Sequence, residues 1–341
     1  MPKLRLLAFL LLPTATRAQW TYVPSGTNTE LRGLSAASDR VVWASGARGT
    51  VARSLDGGRT WLTDTVPAAA TLDFRAVHAF NEGRGLVASA GEAEKGFAKI
   101  FSTTDGGRHW DLVYATDQKG VFLDAMAFWD AKNGIALSDP VEERFFILVT
   151  GDRGRTWKRI PPDRLPKILT GEAAFAASGS VLVVHPKGDV WIGTGGAGRA
   201  RVMHSADRGR IWTVTEVPVH AEGAASGIFS LAFFDRRRGV AVGGDYTKPR
   251  LAGPSVALTD DGGRTWRVAA LPPAAYLSGV AYAGDARSLV AVGLAGTFVS
   301  RDGGERWVQS DTVPLNSVRF ARRAGFAVGP RGRVARMDSL P

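Results

Sequence analysis

The sequence predicts an all-β chain, a seven-bladed β-propeller of four-stranded blades, and three observations carry that expectation. A short pattern, Ser/Thr-x-Asp-x-Gly-x-x-Trp, occurs six times. Its aspartates, Asp56, Asp105, Asp152, Asp207, Asp261 and Asp302, lie 49, 47, 55, 54 and 41 residues apart, a spacing that marks stacked supersecondary units of the propeller type. Seven apolar strand starts are interleaved with the patterns, and the two ends of the chain each hold part of one unit.

The chain opens on a segment outside that plan. Met1-Pro-Lys-Leu-Arg5 is basic, Leu6-Leu-Ala-Phe-Leu-Leu-Leu12 is apolar, and Thr16-Arg-Ala18 offers small residues for a peptidase. Together they predict a cleaved secretory signal over residues 1–18, with a retained anchor as the alternative. The apolar run is too short to span a bilayer. A periplasmic or secreted protein is therefore expected, with one propeller domain over residues 19–341.

Gln19-Trp20-Thr-Tyr-Val-Pro24 copies the strand that follows the repeated pattern elsewhere, as in Trp157-Lys-Arg-Ile-Pro161. The C-terminal unit breaks off after Val334-Ala-Arg-Met337, where the seventh pattern should begin. The N-terminal strand is expected to complete the C-terminal blade, removing the free sheet edges that template aggregation. Between these ends, inner strands are expected to begin at Leu31, Phe74, Phe122, Ala173, Ile228, Leu277 and Leu315. Second strands follow, as at Gly85-Leu-Val-Ala-Ser89 and Gly239-Val-Ala-Val-Gly243. Third strands such as Thr50-Val-Ala-Arg-Ser54 and Gly296-Thr-Phe-Val-Ser300 lead into the pattern, and outer strands such as Trp266-Arg-Val-Ala-Ala270 lead away from it. This is hairpin grammar.

Within each turn the aspartate is expected to accept backbone N–H groups and the glycines to supply positive φ. Trp61, Trp110, Trp157, Trp212, Trp266 and Trp307 are expected to wedge between units. These twelve residues read as structural. Arg153 and Arg208 stand in place of the first glycine, and Ile211 and Arg306 in place of the threonine.

Composition narrows the chemistry. There is no cysteine, which excludes disulfides, thiolate metal sites and a cysteine nucleophile. The five histidines, His78, His109, His185, His204 and His220, show no metal-ligand spacing, so no metal is expected. The formal charge is +11, and +8 remains once Lys3, Arg5 and Arg17 of the leader are set aside. Such a charge favours acidic partners, but the arginines repeat around the turns without a recognition motif, so no specific nucleic-acid binding is expected. Gly193-Thr-Gly195-Gly-Ala-Gly198 fits a dinucleotide fingerprint by letter. That fingerprint works only where a strand feeds a helix, and here strand-like sequence lies on both sides. No cofactor is expected.

The repeated pattern is the Asp-box, or bacterial neuraminidase repeat, found in sialidases, some glucan hydrolases, sortilin-like receptors and photosystem II stability and assembly factors. The mature chain most closely resembles the last group in its bacterial form. Phe122-Leu-Asp-Ala-Met-Ala-Phe-Trp129 with Gly134-Ile-Ala-Leu-Ser-Asp-Pro140, and Gly227-Ile-Phe-Ser-Leu-Ala-Phe233 with Val240-Ala-Val-Gly-Gly-Asp-Tyr246, carry that resemblance. It implies an exported, non-catalytic scaffold, expected as a monomer, that binds protein partners during the assembly of a membrane complex. Some relatives carry an oxidoreductase label, which no cofactor motif here supports. The alternative is a propeller glycoside hydrolase, sialidase-like or glucan-active, which needs two suitably spaced carboxyl groups. Against the sialidase form, Arg159-Ile-Pro161 falls on an outer strand, and none of the five tyrosines has an evident glutamate partner.

Candidate binding residues fall in two groups. Asp73, Arg75, Asp124 and Glu172 are expected at the starts of inner strands, beside the central channel. Asp139, Asp245, Tyr246 and Lys248 follow second strands, in loops on the face opposite the Asp-box turns. The competing reading is that these residues cap loops, pair with one another or line a water-filled channel.

Overall fold

The computed structural model describes residues 20–322, 324–338 and 340; the leader read over residues 1–18, and Gln19, lie outside the described residues. Seven four-stranded antiparallel sheets form the blades of a propeller. Their inner strands are Leu31–Ala36, Asp73–Ala79, Leu123–Phe128, Leu182–Val184, Ser226–Phe233, Gly279–Tyr282 and Ser317–Ala321, and in blades 1–6 the strands run outward in chain order. Blade 7 is closed by the N-terminus. Thr21–Val23 is its outer strand, antiparallel to Val334–Met337, with Thr21 opposite Arg336 and Val23 opposite Val334. Trp20 is buried and donates its indole N–H to Thr297 Oγ1 at 2.9 Å, while the Tyr22 hydroxyl donates to Asp311 Oδ2 at 2.6 Å, so the closing strand is also tied to blade 6.

The core lies between blades rather than under one sheet. Second strands such as Val42–Gly46, Gly85–Ala90 and Leu289–Gly293 are buried along their whole length, which is why they read as continuous small and β-branched runs. Leu86, Ile100, Phe128, Leu148 and Trp157 join blades 2 and 3, and Trp191, Val202, Ile228 and Ala241 join blades 4 and 5.

The Asp-box turns repeat one hydrogen-bond scheme. In blade 1, Ser54 Oγ donates to Asp56 Oδ1 at 2.9 Å and accepts the Gly58 N–H at 2.8 Å. Asp56 Oδ1 accepts the N–H groups of Arg59 and Thr60, Oδ2 accepts the Thr60 hydroxyl, and the Trp61 indole donates to the Gly58 carbonyl. The bonds to the threonine N–H and hydroxyl hold the Asp56 carboxyl well below the ordinary carboxylate range. The threonine position varies: His109 meets Asp105 at 2.5 Å, Arg306 lies 3.6 Å from Asp302, and Ile211 gives only its backbone N–H to Asp207. Arg153 and Arg208 keep the left-handed conformation of the glycine they replace, at φ 76° and 62°.

Blade 4 departs from the expected plan. Its inner strand does not start at Ala173; that residue makes only an isolated bridge to Gly195, and the strand proper is Leu182–Val184. The residues between leave the sheet and cross the propeller axis. The Ser178 hydroxyl donates to the Ser278 carbonyl of blade 6, Ser180 Oγ meets Ser230 Oγ of blade 5, and the Ser317 hydroxyl of blade 7 donates to the Ser178 carbonyl. On the other side Arg32 and Arg75 donate to the carbonyls of Ala177 and Ala176. Only small residues fit a segment enclosed by backbones: a Cβ on Gly179, at φ 65°, would lie 3.2 Å from the Arg75 carbonyl oxygen. Hydroxyl groups satisfy the strand carbonyls that face the axis.

Candidate functional site: the mouth of the central channel

The crossing segment divides the channel into two chambers, each of about 350 Å³. The chamber on the Asp-box side is lined by Leu34, Val77, Phe128, Leu231 and Phe233, with His78, Tyr282 and Arg319 as its ionisable groups. Burial and the nearby Arg84 push the His78 imidazole down to about 4, so it is neutral at pH 7, and burial lowers Arg319 to about 10. The chamber on the opposite face carries more charged side chains, Arg32, Arg75, Asp124 and Asp139, and the sequence candidates converge there.

This mouth is built by β-bulges. Register slips between Leu31 and Gly33, Phe74 and Ala76, Leu123 and Ala125, and Ile228 and Ser230 leave Arg32, Arg75, Asp124 and Phe229 unmatched on their inner strands. A further slip between Ser138 and Pro140 does the same for Asp139 on the second strand of blade 3. A bulge re-aims the extra residue out of the pleat, and all five line the mouth, joined by Phe175, Tyr246, Tyr276 and Asn316. The residue after each inner-strand bulge is small, and at Gly33 space is lacking: a Cβ there would lie 2.2 Å from Ser45 Oγ.

The charges at the mouth are unevenly paired. Arg75 Nε binds Asp73 Oδ2 and Arg32 Nη2 binds Glu30 Oε1, each at 2.7 Å. Asn316 Nδ2 adds a bond to Glu30. Asp139 accepts the Ala174 N–H at 3.0 Å, from the chain that enters the axial crossing. Asp124 is 1% exposed, and its Oδ2 has no hydrogen-bond partner. Burial and the neighbouring Asp139 raise the Asp124 carboxyl well above the ordinary range, against an opposing pull from Arg75; burial raises Asp139 to about 6.

Of the eight sequence candidates, Arg75, Asp124, Asp139 and Tyr246 come together in the chamber, and Asp73 stands beside it as the partner of Arg75. Three are placed elsewhere. Glu172 does not begin an inner strand: its side chain is fully buried in an ion pair with Arg201, accepts the Thr194 hydroxyl at 2.6 Å and accepts the Leu169 N–H at 2.8 Å. Asp245 caps its own loop by accepting the Thr247 N–H and hydroxyl, and Lys248 lies 3.9 Å from it, outside the lining. Arg32, Phe175, Phe229, Tyr276 and Asn316 escaped the sequence reading. The signal for four bulged positions was nonetheless present, as apolar-x-small at the head of an inner strand: Leu31-Arg32-Gly33, Phe74-Arg75-Ala76, Leu123-Asp124-Ala125 and Ile228-Phe229-Ser230.

Two other sequence motifs also find their place. Gly193–Gly198 is a loop between the strands Val190–Gly193 and Ala200–Ser205, with no helix to face a pyrophosphate. Arg159 lies on the two-residue outer strand Lys158–Arg159, its guanidinium 4.5 Å from the ring centre of Phe146.

No protein-family model and no curated protein matches the chain. Solved structures do match its fold. A structure described as YCF48 bound to D1 peptide has a TM-score of 0.65 at 17% identity, covering 96% of this chain and 99% of its own. YCF48 from Cyanidioschyzon merolae has a TM-score of 0.62 at 18% identity, covering 94% and 99%. The WD40 β-propeller domain of Doa1 has a TM-score of 0.61 at 13% identity, covering 93% and 97%. The chain is thus similar in fold, over nearly its whole length, to YCF48 and to the WD40 β-propeller domain of Doa1.

Proposed function

We propose that this chain is an exported, non-catalytic scaffold that binds a protein partner through the mouth of its channel. One observation carries this reading: β-bulges from several blades turn arginine, aspartate and aromatic side chains into one chamber, next to exposed Tyr246. Aromatic and arginine anchors are the usual carriers of interface energy. The similarity in fold to YCF48, solved with a bound D1 peptide, supports a protein ligand. Export rests on the basic and apolar pattern of residues 1–18.

Site-specific photocrosslinking in the native host tests the reading. Benzoylphenylalanine in place of Tyr246, which is 48% exposed, should capture a discrete protein, whereas the same group in place of Leu62, 67% exposed on an outer strand, should not. Mass spectrometry of the purified material should find a chain beginning at Gln19. No adduct at position 246, or equal capture at both positions, would overturn the assignment of the face. Recovery of glycan would favour the hydrolase alternative, with Asp124 and Asp139 as its two carboxyl groups.

A further inference from the structure

The arginines at the mouth suggest an anionic ligand, but their pairing argues otherwise. Four carboxyl groups, those of Glu30, Asp73, Asp124 and Asp139, stand against two guanidinium groups. Both arginines already hold an acidic partner at 2.7 Å. Asp124 and Asp139 have no such partner: among the described residues neither has a cation within 4.0 Å, and Asp124 Oδ2 lies in the wall with no hydrogen bond. A buried acceptor without a donor is costly, and the cost is recovered when a donor arrives.

The remainder of the wall is aromatic. Phe229 stacks on Phe175 with centroids 4.0 Å apart, and meets Tyr276 edge-on at 4.8 Å and Tyr246 at 6.1 Å. Aromatic faces attract cations and cover alkyl stems. A carboxyl pair beside such a wall is complementary to a side chain with an apolar stem and a positively charged, hydrogen-donating end.

We propose that the mouth binds a cationic side chain of the partner, with Asp124 and Asp139 as its counter-charge and Phe229, Tyr246 and Tyr276 as the wall around its stem. This assignment rests on the protein-binding reading above and narrows it to a ligand chemistry.

Capped tripeptide amides of the form Gly-x-Gly test it, with lysine, arginine, norleucine or glutamate at the centre. Binding to the full mature chain is followed by the NMR shift of the Ala174 amide, the donor to Asp139. The lysine or arginine peptide should bind more tightly than norleucine by roughly tenfold, a difference within the range of one charge-assisted contact. The comparison between these two also distinguishes ammonium from guanidinium. The glutamate peptide should not shift Ala174. Asp124→Asn and Asp139→Asn should each remove the preference for a cation over norleucine.

Tighter binding of glutamate than lysine would overturn the proposal, because the arginines would then dominate the chamber. So would equal binding of lysine and norleucine by the unmodified chain, a comparison that does not depend on any variant folding. If no cationic peptide binds while Tyr246 still captures a protein, the cation assignment fails and the protein-binding reading stands. If capture at position 246 is also absent, both fail.

Discussion

At the residue scale, the protein holds carboxyl groups shifted in opposite directions, and the cause in each case is local. Box aspartates such as Asp152 and Asp261 are lowered to about 2, although partial desolvation opposes the shift, because the turn surrounds the ionised form with N–H and O–H donors. Their contribution to stability is present above the ordinary carboxylate value near pH 4 and is lost as pH falls. Asp139 is the reverse case. With its carboxyl raised to about 6, the native state keeps a proton that the unfolded chain has lost between about pH 4 and 6, so stability falls as pH rises through that window. The expected loss is on the order of 2–3 kcal/mol. Asp139→Asn, which keeps an acceptor for the Ala174 N–H, should therefore gain on the unmodified chain by about that amount between about pH 4 and 7. Urea midpoints across that range measure it, and parallel curves for the two proteins would refute it. A group whose charge destabilises the fold is better explained by what it binds than by what it holds together.

At the scale of the element, the Asp-box joins two blades as well as closing a hairpin. The second glycine of five of the six boxes comes against the preceding blade, Gly107 being the exception: a Cβ on Gly154 would lie 2.5 Å from Leu86 Cδ2, and one on Gly304 would lie 2.8 Å from Leu258 Cδ2. The box tryptophans pack into the same interfaces, but to different depths. Trp157 is 9% exposed, within the core that joins blades 2 and 3, and meets Phe128 edge-on at 5.9 Å. Trp307 is only half-buried, at the edge of the core that joins blades 5 and 6. Truncation should therefore cost unequally: about 3–5 kcal/mol for Trp157→Ala, the range for a buried large aromatic, and less for Trp307→Ala. Chemical denaturation of the two variants should separate their midpoints, and equal losses would show that turn closure, common to both, matters more than interblade packing.

At the scale of the whole molecule, the ring is held shut by a three-residue strand. Thr21–Val23 is short and largely exposed, so its backbone pairing is reinforced by buried Trp20 and by the bond from Tyr22 to Asp311. A chain starting at Pro24 would leave Val334–Met337 with an unpaired edge and would lose a buried tryptophan. Such edges template association. The truncated protein should melt at a lower temperature and should associate with rising concentration in light scattering, whereas an unchanged monomer would mean that blade 7 needs only three strands. Closure also positions the site. Residues from blades 1, 2, 3, 5, 6 and 7 line the mouth, and the crossing from Ala174 to Ser180 floors it.

The sequence by itself determined the architecture: blade number, strand order, turn chemistry and the closing strand are written in a local pattern repeated at propeller spacing, and short-range physics is enough to read it. It also placed Arg75, Asp124, Asp139 and Tyr246 at the end of the ring opposite the Asp-box turns, since strand order fixes which loops share an end. Only the tertiary structure decided that Glu172 is taken up by Arg201 and that Asp245 caps its own loop, because both partnerships depend on where side chains meet after folding. The crossing segment was illegible for the same reason. Ala173-Ala-Phe-Ala176 has the composition of an inner strand, and what pulls the chain out of the sheet is a set of hydroxyl and guanidinium contacts with five other blades, up to 145 residues away. Pairing of charges at the mouth is likewise a property of the closed ring, where carboxyl groups from adjacent strands are buried without the cations that would neutralise them.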